Sequence, residues 1–176
     1  MKPIRPGRVD RSTDKCFLRR YLKERGVPLA TCQVQFSLLS YGSLQKEVLA
    51  TCEDLGITVI SYSPLALGLL TNKYSRDRPP PGLRKFALRK VLERMDPLRR
   101  ELAAVAEDCK ASPAQVAIAW CCSKNTVPIP GAKNLDQAMS NRGALDVRLS
   151  EQHCQALEAS AALCSDSMVQ NIFQSA

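Results

Sequence analysis

Two short apolar runs, Cys32–Leu39 and Ile57–Ser61, stand on either side of a stretch with helical spacing. Leu44, Val48, Leu49, Cys52 and Leu55 recur on one helical face, Ser43 is placed to cap that helix, and Gly56 stands at its C′ stop. The second run is rich in β-branched residues, which favour a pleated, half-buried surface. Strand, helix and strand joined by short turns make a βαβ unit. Such a unit requires parallel strands and a right-handed crossover, which removes hairpins, meanders and helical bundles from consideration for this part of the chain.

The pattern continues downstream. Leu98, Leu102, Val105 and Cys109 form the apolar stripe of a helix from about Asp96 to Cys109. Ser112-Pro113-Ala114-Gln115 is a capping box with proline at N1, opening a helix that carries Val116, Ile118, Ala119 and Trp120. Val127–Ile129 reads as a third strand. Asn134 starts a further helix with Leu135, Ala138 and Met139 inward, and Leu149-Ser150 starts the last one, on Leu157 and Leu163. The segment SRDRPPPGLRK after Tyr74 reads as a long irregular loop. Upstream, Met1–Arg11 reads as an irregular basic N-terminus, and Phe17, Leu18, Tyr21 and Leu22 suggest a helix from Ser12 that Gly26 ends. The expected architecture is α/β, with parallel strands near 32–38, 57–61 and 127–130. It forms one domain over 12–176.

The stretch most able to carry chemistry is Ile57–Tyr74, ITVISYSPLALGLLTNKY. Its strand meets Tyr62, Ser63 and Pro64 and then a loop with Gly68. Pro64 lacks a backbone donor and Gly68 permits close backbone approach, so the strand's carboxyl end opens out. Ligands of parallel α/β folds sit outside such ends. A ring, hydroxyls, loop N–H groups and Lys73 suit a flat ring joined to phosphate. Taken by chemistry alone, Tyr62 is equally readable as core filler and Lys73 as a solvated charge.

Composition bounds the alternatives. The formal charge of +8 is held by two segments, residues 1–25 with nine Lys/Arg against three acids and residues 73–100 with ten against three. Neither cluster has interleaved aromatics or a recognised nucleic-acid motif, so a solvated helix face and a loop facing a phosphorylated small molecule are expected rather than nucleic acid. No apolar run reaches the ~20 residues of a membrane span, so no membrane association is expected. The eight cysteines form no CxxC pair and the chain has one histidine, poor material for a metal site. His153, at a polar helix position, reads as a surface residue without a partner. The basic N-terminus lacks a secretory apolar core. It has something of a transit peptide but is short and contains Asp10 and Asp14, so the cytoplasm is expected, with a plastid as the alternative.

Three segments together point to a family. SYSPLALGLLTNKY resembles the strand-seven segment of the aldo-keto reductases, commonly YSPLxxGLLTGKY. VPIPGAKNLDQAMSN resembles their strand-eight and phosphate-binding segment, and GVPLATCQVQFSLL their strand-six segment. They occur in the family's order and spacing, and the resemblance runs from about Ser12 to the C-terminus. It implies a partial (β/α)8 TIM barrel, the C-terminal half with about three parallel strands, binding NADP(H). Gln33 would bond the nicotinamide carboxamide, although a glutamine satisfied by neighbouring backbone reads equally well there. Tyr62 would stack on the nicotinamide face. Ser63, Pro64, Leu65, Gly68 and Lys73 would wrap the pyrophosphate. Gly131, Lys133, Asn134, Gln137 and Asn141 would hold the adenosine phosphate and adenine at a helix N-terminus. Gln137 and Ser140 replace an arginine and a glutamate found in some branches.

The resemblance also implies an absence. Family enzymes use a tyrosine acid aided by lysine, aspartate and histidine on the first four strands, and none of Tyr21, Tyr41, Tyr62 or Tyr74 lies in that context. The strand-five Ser-Asn pair is replaced by RPGRVDRSTD. No catalytic residue and no metal site is therefore assigned. The leading expectation is a family oxidoreductase that reduces a small-molecule carbonyl substrate in its full-length form, with the activity of this chain alone in doubt. The alternative is a non-catalytic half-barrel that binds a dinucleotide or a partner, with association through open barrel edges.

Overall fold

The computed structural model describes residues 25–164 apart from 27, 28 and 83. The irregular segment 1–11 and the helix expected from Ser12 lie outside the described residues. Three strands form one parallel sheet in the order β1 (Thr31–Gln35), β2 (Thr58–Tyr62) and β3 (Thr126–Ile129). Helix α1 (Ser43–Asp54) crosses from β1 to β2. Helices α2 (Arg84–Arg94), α3 (Asp96–Asp108) and α4 (Pro113–Ser123) precede β3. Helices α5 (Leu135–Gly143) and α6 (Glu151–Ala162) follow it.

The register decides what each face of the sheet carries. Cys32, Val59 and Thr126 form one cross-strand row, and Val34, Ser61 and Pro128 another. Val59, Ser61 and Thr126 are buried, so these rows face the helices. On that face Ser61 Oγ donates to Thr126 Oγ1 at 2.7 Å, and Thr126 Oγ1 donates to the Cys121 carbonyl at 2.8 Å. Two buried hydroxyls thus satisfy each other and tie β2, β3 and α4 together. The alternate rows, Gln33–Ile60–Val127 and Gln35–Tyr62–Ile129, lie on the opposite face. Val127 and Ile129 remain about half exposed there.

The core lies between sheet and helices, around Trp120. Its ring is fully buried and stacks on Phe36 at 5.3 Å, with 9° between the planes. Tyr41 meets Trp120 edge-on at 5.1 Å. Trp120 Nε1 donates to Glu158 Oε1 at 3.1 Å, and Lys124 pairs with the same carboxylate at 2.6 Å. Phe36 directly follows β1 and Glu158 belongs to α6, so one indole joins the first strand to the last described helix. Leu69, Leu70, Met95, Leu98, Val116 and Leu157 are among the other members of the buried cluster.

Several local expectations are corrected. The first strand ends at Gln35, because Phe36–Leu39 turn into the core and continue as a 3-10 turn at Leu38–Ser40. Ser43 is the first helical residue rather than the cap. Gly42 takes the cap position, and its N–H donates to Gln45 Oε1 at 3.3 Å. That bond draws Gln45 inward, while Leu44, read as part of the apolar face, is exposed. Residues 84–85, read as the end of an irregular loop, and 86–94, to which no element was assigned, form α2, which buries Leu88, Val91 and Leu92. The basic residues between those positions mask the spacing. Helix α3 ends at Asp108, one residue before Cys109. Leu135, Met139 and Leu163, read as inward, are 75%, 56% and 70% exposed, because the described residues place no neighbour over them.

The capping box at Ser112 is as the spacing predicts. Ser112 N–H donates to Gln115 Oε1 at 2.8 Å and Gln115 N–H to Ser112 Oγ at 3.3 Å. Trp120→Ala should cost about 3–5 kcal/mol, a large share of the ~5–15 kcal/mol that holds a typical domain. Trp120→Phe should cost less, since it keeps a ring against Phe36 and loses the bond to Glu158 together with a smaller buried volume than alanine would. Urea unfolding of the purified variants, read by far-UV circular dichroism, checks the order.

Candidate functional site

Strand carboxyl ends in this sheet are Gln35, Tyr62 and Ile129, and the register places these three side by side. The segments that leave β2 and β3 therefore depart from the same end of the sheet. Tyr62 is half-buried on the open face and does not belong to the buried core. Gln33 does not stand at the strand end. It lies one row back, paired with Ile60, and is exposed on the same open face.

The segment after Tyr62 is held in an unusual backbone. Ser63, Ala66, Leu67 and Asn72 all have left-handed φ, at 53°, 48°, 59° and 60°, and Gly68 has φ 90°. Each non-glycine residue in that region costs on the order of 1 kcal/mol. The offsetting contacts are visible. Ala66, Leu69 and Leu70 are buried in the core. Ala66 N–H donates to the Ser63 carbonyl at 2.9 Å and Gly68 N–H to the Leu65 carbonyl at 2.9 Å. Arg99 donates through Nε and Nη2 to Asn72 Oδ1, at 3.1 and 2.9 Å, and Arg78 donates to the Asn72 carbonyl at 3.1 Å. Pro64 is buried, and Gly68 is closed against Tyr74, whose ring would lie 3.4 Å from an added Cβ. Lys73 is exposed, with Nζ 5.6 Å from the centre of the Tyr74 ring.

The segment after β3 folds on itself. Asn134 caps α5, its Oδ1 accepting from Gln137 N–H at 2.9 Å. Gln137 Oε1 reaches back to Lys133 N–H at 2.8 Å, and Asn141 Nδ2 donates to the Gly131 carbonyl at 3.3 Å. Gln137, noted in the sequence as replacing an arginine, is thus a second cap. Lys133 is exposed and, among the described residues, has no acidic partner. An added Cβ at Gly131 would meet nothing within 4 Å. One exposed cation therefore stands beside a capped helix N-terminus, chemistry that attracts an anion.

Sequence reasoning missed Gln35, the direct cross-strand neighbour of Tyr62. Its Oε1 is buried and has no hydrogen-bond partner among the described residues. The alternation of Gln33 and Gln35 along β1 was the available signal. His153, read as partnerless, accepts from Ser150 N–H at 3.4 Å and lies 3.8 Å from both Cys109 Sγ and Asp108 Oδ2. Burial pushes the Cys109 thiol above its ordinary range, helped by the Asp108 charge, which favours the protonated form. The imidazole presents Nδ1 to Cys109 and Nε2 to Asp108, and among the described residues no group of three or more His, Cys, Asp or Glu is arranged to hold a metal ion.

A family model described as the aldo/keto reductase family matches residues 11–162. The chain belongs to the aldo/keto reductase family. It is 48% identical over 154 residues to the chloroplastic pyridoxal reductase of Arabidopsis thaliana, a match covering 88% of this chain and 42% of that one. The glycerol dehydrogenase of Gluconobacter oxydans superposes with a TM-score of 0.73 at 22% identity, over 89% of this chain and 49% of the other. A mutant of Gox0644 crystallised with NADPH superposes with a TM-score of 0.59 at 20% identity, over 81% and 42%. The chain spans less than half the length of these relatives.

As a member of this family the chain folds as part of a (β/α)8 barrel, with three parallel strands and flanking helices. Helices surround the outside of such barrels, so the open face with Gln33, Gln35 and Tyr62 is the inward one. No helix among the described residues is long and apolar enough to cross a membrane.

Two stability measurements check this description. Leu67→Gly should stabilise the protein by about 0.5–1 kcal/mol, because glycine relieves a left-handed backbone at a partly exposed position. Gln35→Leu should be neutral or stabilising, since it removes a buried unpaired acceptor at similar volume. Chemical denaturation midpoints of both variants against the parent protein provide the test.

Proposed function

We propose that this chain is the NADP(H)-binding, C-terminal half of an aldo/keto reductase, formed as one domain over 12–176. The observation that carries the reading is the pairing of Tyr62 with Ile129 at adjacent strand ends. From that one end issue the strained loop 63–73 and the Lys133–Asn141 segment. Tyr62 offers a ring for the nicotinamide, with Gln33 and Gln35 on the same inward face as polar partners for its carboxamide. Ser63, Pro64, Leu65, Gly68 and Lys73 border the pyrophosphate. Gly131, Lys133, Asn134, Gln137 and Asn141 take the adenosine and its 2′-phosphate. The relative solved with NADPH supports the cofactor, and the donor set fits it: one flat ring, loop N–H groups and two exposed lysines. When bound, the dinucleotide supplies or accepts a hydride. The protein's residues orient its ring and neutralise its phosphates.

The full-length form acts on a small-molecule carbonyl compound. Pyridoxal, the aldehyde in the name of the Arabidopsis relative, is the first compound to test. That relative's chloroplastic location supports a plastid for this protein. Reduction of a carbonyl needs a proton donor at the developing alkoxide and a pocket that positions both reactants. No residue of this chain matches the family's donor tyrosine. The isolated chain therefore binds NADPH weakly and does not turn over. The open face, and the edges of β1 and β3 that no strand among the described residues pairs with, favour association with another polypeptide.

The test uses the purified chain. NADPH binding, followed by fluorescence, should weaken about tenfold in Tyr62→Ala, as loss of a stacking partner predicts. Lys133→Ala should weaken NADPH more than NADH. No oxidation of NADPH should accompany addition of pyridoxal, other aldehydes or quinones. Turnover that Tyr62→Ala abolishes would show that the chain alone is an enzyme. Equal NADPH affinity in all three proteins would remove the cofactor assignment.

A further inference from the structure

Helix α5 carries Asn134, Gln137 and Asn141 in the proposed adenosine site, yet it buries none of its residues. Its apolar side chains, Leu135 and Met139, point away from the core. Its polar side chains mostly bond within the segment 131–141. Burial therefore does not hold this helix in place.

One hydrogen bond reaches the segment from elsewhere among the described residues. Gln115 Nε2, on α4, donates to the Ser140 carbonyl at 3.0 Å. That carbonyl is free to accept, because the last turn of α5 tightens and Ala144 N–H bonds the carbonyls of Asn141 and Arg142 instead. The other end of the same side chain is occupied, since Gln115 Oε1 accepts from Ser112 N–H at 2.8 Å. One amide thus completes the cap of α4 with its oxygen and grips α5 with its nitrogen.

Gly143 makes the approach possible. A Cβ built there would stand 2.3 Å from Gln115 Nε2, inside any real contact. The glycine is helical, with φ −58°, so its backbone does not require glycine. Its need is the space for the Gln115 amide. A glycine inside the last turn of a helix is otherwise unfavourable compared with alanine.

We propose that Gln115, seated against Gly143, is a positioning residue that sets α5 and the Lys133–Asn141 segment for the adenosine phosphate. The capping box and the tether are separable by chemistry. Glutamate at position 115 still accepts from Ser112 N–H, but at neutral pH it has no proton to give to the Ser140 carbonyl. Below the ordinary glutamate range, near pH 4.3, its carboxyl regains a donor. The ligand half of the inference rests on the proposed cofactor reading; the tether does not.

Hydrogen exchange of the whole chain, corrected for intrinsic rates, tests the tether. Gln115→Glu at pH 7 should raise exchange across 134–143 by about tenfold or more, an opening typical of a weakly held element, and leave α3 and α4 unchanged. Protection should return in part at pH 4 in Gln115→Glu, where about two-thirds of an ordinary glutamate is protonated, and stay lost in Gln115→Ala. Gly143→Ala displaces the Gln115 amide while improving helix propensity. It should therefore loosen α5, and a stiffer α5 would overturn the proposal. Unchanged protection in Gln115→Glu, or loss spread evenly over α3, α4 and α5, would also overturn it. Titration with 2′,5′-ADP by calorimetry reads the ligand consequence. The neutral Gly143→Ala change should weaken that binding several-fold. If the parent chain fails to bind 2′,5′-ADP while exchange follows the tether, positioning by Gln115 stands and the cofactor reading falls.

Discussion

The stack of Trp120 on Phe36 is the joint on which the rest of the structure depends. Phe36 leaves β1 and turns straight into the core, so its ring position fixes how the first strand meets α4. Tyr41 closes the edge of the indole, and Glu158 takes its N–H while pairing with Lys124. A large apolar ring with one polar handle needs burial and a partner at once. Here the partner comes from α6. The last described helix is thereby tied to the first strand, and the helical layer stays on one face of the sheet.

Packing on one face leaves the other open, and that asymmetry organises the candidate site. Row alternation puts Ser61 and Thr126 against the helices and sends Gln33, Gln35 and Tyr62 to the opposite side. Polar groups on the helical face close on one another. On the open face Gln35 Oε1 is left without a partner among the described residues. Loop 63–73 carries its left-handed residues at the end of that same face, and the buried leucines at 69 and 70 together with Arg99 hold them there. Strain persists only where surrounding contacts over-determine it, and here those contacts sit directly beside a strand's carboxyl end. The segment after β3 is built differently. It has little burial, and its shape comes from caps and from Gln115.

Much of this was legible in the residues. The βαβ spacing, the stop at Gly56, the capping box at Ser112 and the three segments like those of aldo/keto reductases all led to parallel strands flanked by helices. Tyr62 and the 63–73 and 131–141 segments were placed at one sheet end by the same reasoning. The failures share a cause. Periodicity identifies an apolar face but not what covers it, so Leu135, Met139 and Leu163 were read as inward and are exposed. Helix α2 was hidden because its apolar residues Leu88, Val91 and Leu92 are interrupted by arginine and lysine and follow three prolines. Gln33 was placed at the strand end by the family resemblance, whereas the register sets it one row back on the same face.

By itself the sequence determined the elements whose signals are local: caps, stops, β-branched runs and the alternation of strand with helix. These depend on neighbours within a few positions, where backbone sterics and short-range hydrogen bonds decide. Its family motifs determined the class of fold. The tertiary structure alone decided which side chains meet across long separations. Trp120 finds Phe36, 84 residues earlier in the chain, and Gln115 finds Ser140, 25 residues later, and neither pairing leaves a periodic trace. Register set the face of Gln35, since a shift of one residue reverses every side chain of a strand. Such contacts are fixed by how layers pack, and packing is a property of the folded chain.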